Sequence, residues 1–354
     1  MSLTSAADAV NVRFQNVPVI DLSTIRTNDP AERKRLAEEV RDACMRVGFF
    51  YVKNHGIPES ATEGALQMAK NFFSLPTEAK MEIENKKTPN FKGYSPLLSG
   101  NNNPYGSGDL QEGFELGWED PTPMPGQNTE IDQEVNGVMA GANVWPREDD
   151  LPHFRQTVLN YYYAAVYLGR ALFPIFALAL NLPEDFFADK TQHSAALMKL
   201  LHYPPQTGPV DERIIGIGAH TDWEFFTILW QEPGIQALQV LNSEKEWINA
   251  PPLPGTLVIN LGDQFARWTS MPEFNPEEIS LITIYSDDVF KSTVHRAINR
   301  SGIRRYSIPL FFGIDYNVEL EPMESCVSAE RPSKYEVITA GEYVKKRLQA
   351  TYNH

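Results

Sequence analysis

Cysteine is nearly absent. Cys44 and Cys326 are the only two in 354 residues, and no CxxC spacing occurs. That excludes a disulfide framework and fits a reducing, cytoplasmic setting. Basic charge is in deficit, with 31 Lys and Arg against 46 Asp and Glu, so the formal net charge is −15. A chain this acidic repels phosphate backbones, and no nucleic-acid partner is expected. Residues 1–13 lack the apolar stretch of a signal peptide. Only Leu159 to Leu180 resembles a membrane span, and it carries Asn160, Arg170, Pro174 and three consecutive tyrosines at 161–163. A spanning helix tolerates such residues poorly, so a buried core helix is expected and no membrane partner. Repeats and low-complexity tracts are missing as well. Apolar residues are not: at 42% hydrophobic and 22% charged, the chain can bury a large core, which excludes general disorder.

Short strand and helix signals alternate near the start. Val17 to Leu22 is an apolar strand signal, and Asp29-Pro30 reads as an N-cap followed by proline at the first helical position. Leu36, Val40, Cys44 and Val47 share one face of a helix over 31–47, which Gly48 ends. Phe49 to Val52 follows as a strand, then a helix over 62–74 closed by Pro76. Residues 82–150 are rich in Asn, Gly and Pro and read as loop material, long enough for a lid or binding loop. From Ala196 strand signals recur at 198–203, 214–219, 226–230, 237–241, 256–259, 293–298 and 305–312, separated by turn residues. Such spacing predicts a sandwich, barrel or jelly roll. An amphipathic helix over 338–352 closes the chain, and no clean linker divides it, so residues 1–354 are read as one domain.

Of the seven histidines, His220 stands out. Gly216-Ile-Gly-Ala-His-Thr-Asp222 sets a histidine and a carboxylate at i and i+2 at a strand end, where period-two alternation turns both to one face. His295, from a later strand, can supply a third ligand. Two histidines and one carboxylate on one face of a metal leave open positions, the facial triad of non-haem Fe(II) oxygenases. An HxD pair alone is common and weak. Ten residues beyond His295, Arg305-Tyr-Ser307 puts an arginine and a serine on one strand face. The arginine fork suits a carboxylate and serine adds a donor; taken alone, Arg305 reads as a surface salt bridge.

Together these residues resemble the 2-oxoglutarate- and Fe(II)-dependent dioxygenases of the isopenicillin N synthase-like group. Val17-Pro-Val-Ile-Asp21, Gly48-Phe-Phe-Tyr-Val-Lys-Asn-His-Gly56 and Phe72-Phe-Ser-Leu-Pro76 are similar to the family's N-terminal region, and His220-Thr-Asp222, Ser292-Thr-Val-His-Arg296 and Arg305-Tyr-Ser307 to its catalytic core. The likeness runs from about residue 17 to 352. Within the family, Leu200-Leu-His-Tyr-Pro204, Phe265-Ala-Arg-Trp268 and Lys345 to Tyr352 resemble the fungal thymine 7-hydroxylase-like enzymes. The resemblance implies a mainly β, α+β fold: a double-stranded β-helix (jelly-roll) core at about 196–315, an N-terminal α/β region at about 17–125 and flanking helices. It implies Fe(II) on His220, Asp222 and His295. It also implies 2-oxoglutarate on Arg305 and Ser307, with Tyr203 adding a hydroxyl and Lys199 either helping or standing as a solvated strand-end lysine. His202, beside Tyr203, reads as structural.

Oxidation of a C–H bond in a small molecule follows from that resemblance, with a methyl group on a nucleobase or aromatic natural product preferred. Ring expansion or desaturation by the same oxidant, a relative that uses no 2-oxoglutarate, and a catalytically dead binding protein stay open. Trp223, next to Asp222, and Phe311, six beyond Arg305 on the same strand face, are candidate walls for a flat substrate, or else ordinary core aromatics. Tyr94 and the 97–103 loop are expected to close over it. One departure stands out: His295 lies 73 positions beyond Asp222, an interval longer than usual in the family. The excess lies at 271–286, a surface insertion or an unspliced intron, and it puts the strand leading to His295 in doubt.

Overall fold

A computed structural model describes residues 13–88, 90–100, 108–119, 142–206, 215–269, 289–322 and 335–352. Asp29 caps the first helix, α1 (Pro30–Arg46), by accepting a hydrogen bond from the Ala31 amide, with Pro30 at the first position as its sequence predicts. Leu36, Val40 and Cys44 form its buried face. Gly48 ends the turn with φ of 72°, and a Cβ there would meet the Lys291 carbonyl oxygen at 2.1 Å. Only glycine fits both the left-handed backbone and the close approach. Strands β1 (Val19–Asp21) and β2 (Phe49–Lys53) pair in parallel. Helix α2 (Glu59–Phe73) and the short α3 (Thr77–Met81) follow.

The stretch 82–150 is not all loop. It holds β3 (Gly93–Ser95) and β4 (Glu112–Leu116), a hairpin at one edge of the large sheet. Sequence alternation misses β4 because all five of its residues are buried, including Glu112 and Glu115, whose charges are met by partners from other elements. Helix α4 (Phe154–Ala179) is long and apolar enough to cross a membrane, yet 61% of its most apolar window is buried inside the fold. It is the core helix expected from its sequence.

The remaining strands are β5 (Ala196–Tyr203), β6 (Ile217–His220), β7 (Phe226–Gln231), β8 (Leu238–Leu241), β9 (Trp247–Asn249), β10 (Thr256–Leu261), β11 (His295–Ala297) and β12 (Arg305–Phe312). Helix α5 (Asp263–Trp268) follows β10, and α6 (Ala340–Tyr352) closes the described chain. Among the described residues, one sheet has the order β1-β2-β10-β7-β12-β5-β4-β3 and the other β6-β11-β8-β9. The fold is the jelly-roll core with flanking helices.

Strand alternation sorts the large sheet into two faces. Tyr306, Ile308, Leu310 and Phe312 join the main hydrophobic cluster with α1, α2 and α4. There Phe312 lies 5.7 Å from Phe173 and 5.5 Å from Phe226, ring centre to ring centre. Burying such aromatic rings stabilises by roughly 1.5–3 kcal/mol each. Arg305, Ser307, Pro309 and Phe311 face the other way, into the space between the sheets. The same packing that anchors the sheet to its helices therefore aims the polar residues inward.

The segment 271–286 lies outside the described residues. Its flanks are close together: the Val289 amide donates to the Thr269 carbonyl at 3.1 Å. An insertion between two such points need not disturb the fold, since loop closure costs little per added residue. His295 stands in register with His220, so the strand carrying the third candidate ligand is in place.

Candidate metal and cofactor centre

His220 ends β6, His295 begins β11 opposite it, and Asp222 lies two residues beyond His220. Both histidine Nε2 atoms lie 3.6 Å from Asp222 Oδ1, and the three ligand atoms fall within 4.8 Å of one another. The other ring nitrogens are engaged: His220 Nδ1 with the Gly218 carbonyl at 2.7 Å, His295 Nδ1 with the Thr293 carbonyl at 3.1 Å. A carbonyl only accepts, so each Nδ1 donates its proton and each Nε2 is the atom turned toward the shared point. Phe49 packs edge-on against His295 at 5.1 Å.

Asp222 is held from behind. Its Oδ2 accepts from the Thr227 hydroxyl at 2.5 Å and the Asn260 amide at 2.6 Å, leaving Oδ1 to the centre. Burial by itself would raise this carboxyl; His295 and His220 beside it hold it well below the usual range. Thr227 and Asn260 escape sequence reasoning because they come from β7 and β10, and only strand pairing brings them behind Asp222. Their inward strand positions were the sole available signal.

Across the cavity, Arg305 is 1% exposed, far from the solvated salt bridge an isolated arginine suggests. Its Nη2 donates to Gln231 Oε1 at 3.3 Å and its Nη1 to Ser307 Oγ at 3.5 Å, while the guanidinium lies 4.8 Å from the Tyr203 ring centre. Its Nε has no hydrogen-bond partner among the described residues. Among the described residues no carboxylate lies within ion-pairing distance of it. Burial pulls its pKa below the ordinary arginine value, with Tyr203 and Glu232 opposing. A buried cation on long neutral contacts is a costly arrangement that an incoming carboxylate relieves. Gln231, the β7 neighbour of Ser307, is a further contact that sequence reasoning missed.

Two family models match: the 2OG-Fe(II) oxygenase superfamily over residues 194–314, and the N-terminal region of the non-haem dioxygenases typified in morphine synthesis over 17–148. This chain belongs to the 2-oxoglutarate- and Fe(II)-dependent oxygenases. A 2-oxoglutarate-Fe(II) type oxidoreductase, ppzC, of Metarhizium majus is 37% identical, covering 94% of this chain and 86% of its own. Homoarginine-6-hydroxylase 2-ODD-C23 of Glycine max is 32% identical over 88% and 89% respectively. The crystal structure of the full-length thymine 7-hydroxylase of Neurospora crassa with alpha-KG and thymine superposes with a TM-score of 0.76, at 27% identity, covering 94% of this chain and 96% of that one.

An oxygenase of this family uses Fe(II) and 2-oxoglutarate, and the residues present fit both. Two imidazoles, once their Nε2 atoms are deprotonated, and a carboxylate form a donor set for Fe(II). The orphaned Nε of Arg305 fits a carboxylate.

The oxygenase has a second chamber of ≈ 150 Å³ that reaches His220 and Asp222. Trp223 and Phe311, the two candidate substrate walls, both line it. Phe311 also borders the Arg305 cavity and so stands between the two spaces. Lys199 is not beside Arg305. It lies in this second chamber, ion-paired with Glu115 of β4 and 5.9 Å from the Phe311 ring centre. Four strand positions, about 13 Å, separate it from Tyr203. Glu224, also in this chamber, was not foreseen. Burial pushes its carboxyl up to about 7, against hydrogen bonds from the Tyr316 hydroxyl and the Gln264 amide.

Tyr94 departs from expectation. It is buried in the main cluster, edge-on to Phe72 at 6.0 Å, and its hydroxyl donates to Glu112 at 2.6 Å. On β3 it is Ser95, the next residue, that faces the chamber; period-two alternation sends Tyr94 to the helices. Of the 97–103 loop, residues 101–103 lie outside the described residues. His202 is structural as read, packed in a three-ring cluster with Phe73 and Tyr306 and with Nδ1 on Glu112 at 2.8 Å.

Proposed function

We propose that His220, Asp222 and His295 hold Fe(II), that Arg305 with Ser307 and Tyr203 holds the distal carboxylate of 2-oxoglutarate, and that the enzyme oxidises a C–H bond of a small, flat, aromatic or heteroaromatic molecule, a methyl group by preference. A single oxygenase domain spanning the chain and a cytoplasmic setting complete the proposal. The observation that carries it is the placement of the triad and the partnerless Arg305 Nε on facing walls of one cavity, with Trp223 and Phe311 lining the adjoining chamber. Bound Fe(II) and 2-oxoglutarate supply the oxidising power from O₂. The chain does the rest. Nδ1 hydrogen bonds keep both histidine lone pairs on the metal point. Thr227 and Asn260 hold Asp222. Arg305 fixes the far end of the oxo acid. Trp223 and Phe311 orient a flat ring by stacking, which sets which hydrogen lies nearest the centre. Lys199 and Glu115 offer a donor and an acceptor to that ring's polar edge.

The preference for a thymine-like or aromatic methyl compound rests on the likeness to a thymine 7-hydroxylase solved with thymine and on the two aromatic walls. Two measurements test the proposal. Anaerobic titration of the full chain with Fe(II) and 2-oxoglutarate gives a visible metal-to-ligand charge-transfer band that is lost in Arg305→Ala at the same concentrations, with iron still bound. Succinate release is then screened with thymine, 5-methylated pyrimidines and methylated aromatics; output at background for all of them ends the methyl preference. Product masses separate an added oxygen from desaturation or ring expansion.

A further inference from the structure

The C-terminal helix α6 is joined to the candidate iron ligands through one residue outside the triad. Asp263, first residue of α5, donates its backbone N–H to the Asp222 carbonyl at 2.8 Å. Its side chain gathers three hydroxyls. Oδ2 accepts from Thr221, the residue between His220 and Asp222, at 3.1 Å. Oδ1 accepts from Ser292, three residues before His295, at 2.7 Å. Oδ2 also accepts from Tyr343 of α6 at 2.6 Å. Arg347, one turn further along α6, approaches the same oxygen at 3.9 Å and lies 5.6 Å from the centre of the Trp223 ring. Val344 of the same helix lines the substrate-side chamber. Gly262 lets this approach happen, since a Cβ there would meet the Glu224 carbonyl at 2.0 Å and the Asp222 carbonyl at 3.0 Å.

Each bond is ordinary, but their convergence is not. Asp263 touches the segment of His220 and Asp222, the segment of His295, and the helix that covers Trp223. Movement of α6 away from the core would remove a donor from Asp263 and leave its carboxylate partly buried with fewer partners, which costs more than the bond itself gains. We propose that Asp263 is a positioning residue that couples the seating of the C-terminal helix to the ordering of the three metal ligands, so that iron binding and docking of residues 340–347 stabilise each other. By linkage the effect is reciprocal: whatever factor iron contributes to holding the helix, the docked helix returns as iron affinity. The inference rests on the proposed metal role of His220, Asp222 and His295.

Hydrogen exchange of the full-length chain tests it, run anaerobically with and without Fe(II) in the presence of 2-oxoglutarate. The amides of α2, which among the described residues makes no hydrogen bond to Asp263 or to the segments it joins, serve as internal reference. In the wild type, iron slows exchange across 340–347 severalfold relative to α2. In Asp263→Ala that iron-dependent factor disappears and Fe(II) binds roughly tenfold more weakly, within the range for residues that orient metal ligands. Asp263→Asn, which keeps one acceptor, recovers part of both effects. Tyr343→Phe keeps the packing and loses the helix protection. A merely structural role for Asp263 would speed exchange equally with and without iron and leave the factor intact. A wild type that binds iron with no change over 340–347, or an Asp263→Ala chain with wild-type iron affinity, overturns the coupling. A folded wild type that binds no Fe(II) overturns the metal reading and the coupling with it.

Discussion

Thr227→Val is the most direct probe of how the carboxylate ligand is held. The change keeps the branched shape of a buried β7 residue and removes one of the two donors on Asp222 Oδ2, the 2.5 Å bond. A hydrogen bond to a charged group contributes about 1.5–3 kcal/mol. Both the metal-free and the metal-bound chain lose that bond, so only the orienting part enters iron affinity. Freed on one side, Asp222 can turn toward His220 and His295, whose Nε2 atoms are already 3.6 Å from Oδ1. Undoing that turn on binding costs about 1.4 kcal/mol, or roughly tenfold in affinity, which agrees with the usual effect of groups that orient metal ligands. Asn260→Ala should cost a similar factor by removing the 2.6 Å bond. Because both donors act on one oxygen, the double variant should lose more than the product of the two singles. The assay is anaerobic Fe(II) titration at saturating 2-oxoglutarate, followed by the charge-transfer band, with thermal unfolding as the check on folding. Folded single variants that bind iron within twofold of wild type would refute the argument that these two bonds aim the ligand.

Three further outcomes are expected. Tyr94→Phe removes the hydroxyl on Glu112 and should lower stability by about 1–2 kcal/mol while leaving succinate output unchanged; altered output at an unchanged melting temperature would return Tyr94 to the substrate pocket. Gly48→Ala forces a side chain into a φ of 72° and against the Lys291 carbonyl, and should cost at least about 2 kcal/mol in denaturant unfolding; a loss below about 1 kcal/mol refutes the close approach. Lys92 is 2% exposed, and burial pulls its pKa down to about 8 from an ordinary 10.5. The folded chain thus releases this proton first, the unfolded chain binds more protons between about 8 and 10.5, and stability gains a contribution that rises with pH across that window. The burial penalty stands in full below about 8. Lys92→Met should therefore gain most in melting temperature near pH 7 and least near pH 10, and a gain independent of pH contradicts a charged, buried Lys92.

The candidate site was legible in the sequence because its residues come in local pairs. His220 and Asp222 are two residues apart, Arg305 and Ser307 two residues apart, and strand alternation sends each pair to one face whatever the rest of the chain does. Helix α1 was legible for a like reason, since its cap, its first-turn proline and its apolar spacing all lie within 20 residues. The expectation for residues 82–150 failed where local pattern and burial part company. In β4, Glu112 and Glu115 look like surface residues, but Lys80 pairs with the first, to which His202 is also hydrogen-bonded, and Lys199 pairs with the second, all from distant elements. The same limit misplaced Tyr94, whose partner Glu112 is 18 residues away.

Sequence alone put His220 with Asp222, and Arg305 with Ser307, on shared strand faces, because period-two spacing writes a strand's facing directly into residue order, and the motifs around them carried the resemblance to a mainly β oxygenase family. Tertiary structure decided the rest. It buried Arg305 with no carboxylate partner among the described residues, set Thr227 and Asn260 behind Asp222, moved Lys199 into the second chamber, and brought Ser292, Thr221 and Tyr343 onto Asp263. Those contacts join residues 5 to 80 positions apart. Their partners are chosen by sheet register and helix packing, which depend on the whole core at once, so no local pattern encodes them.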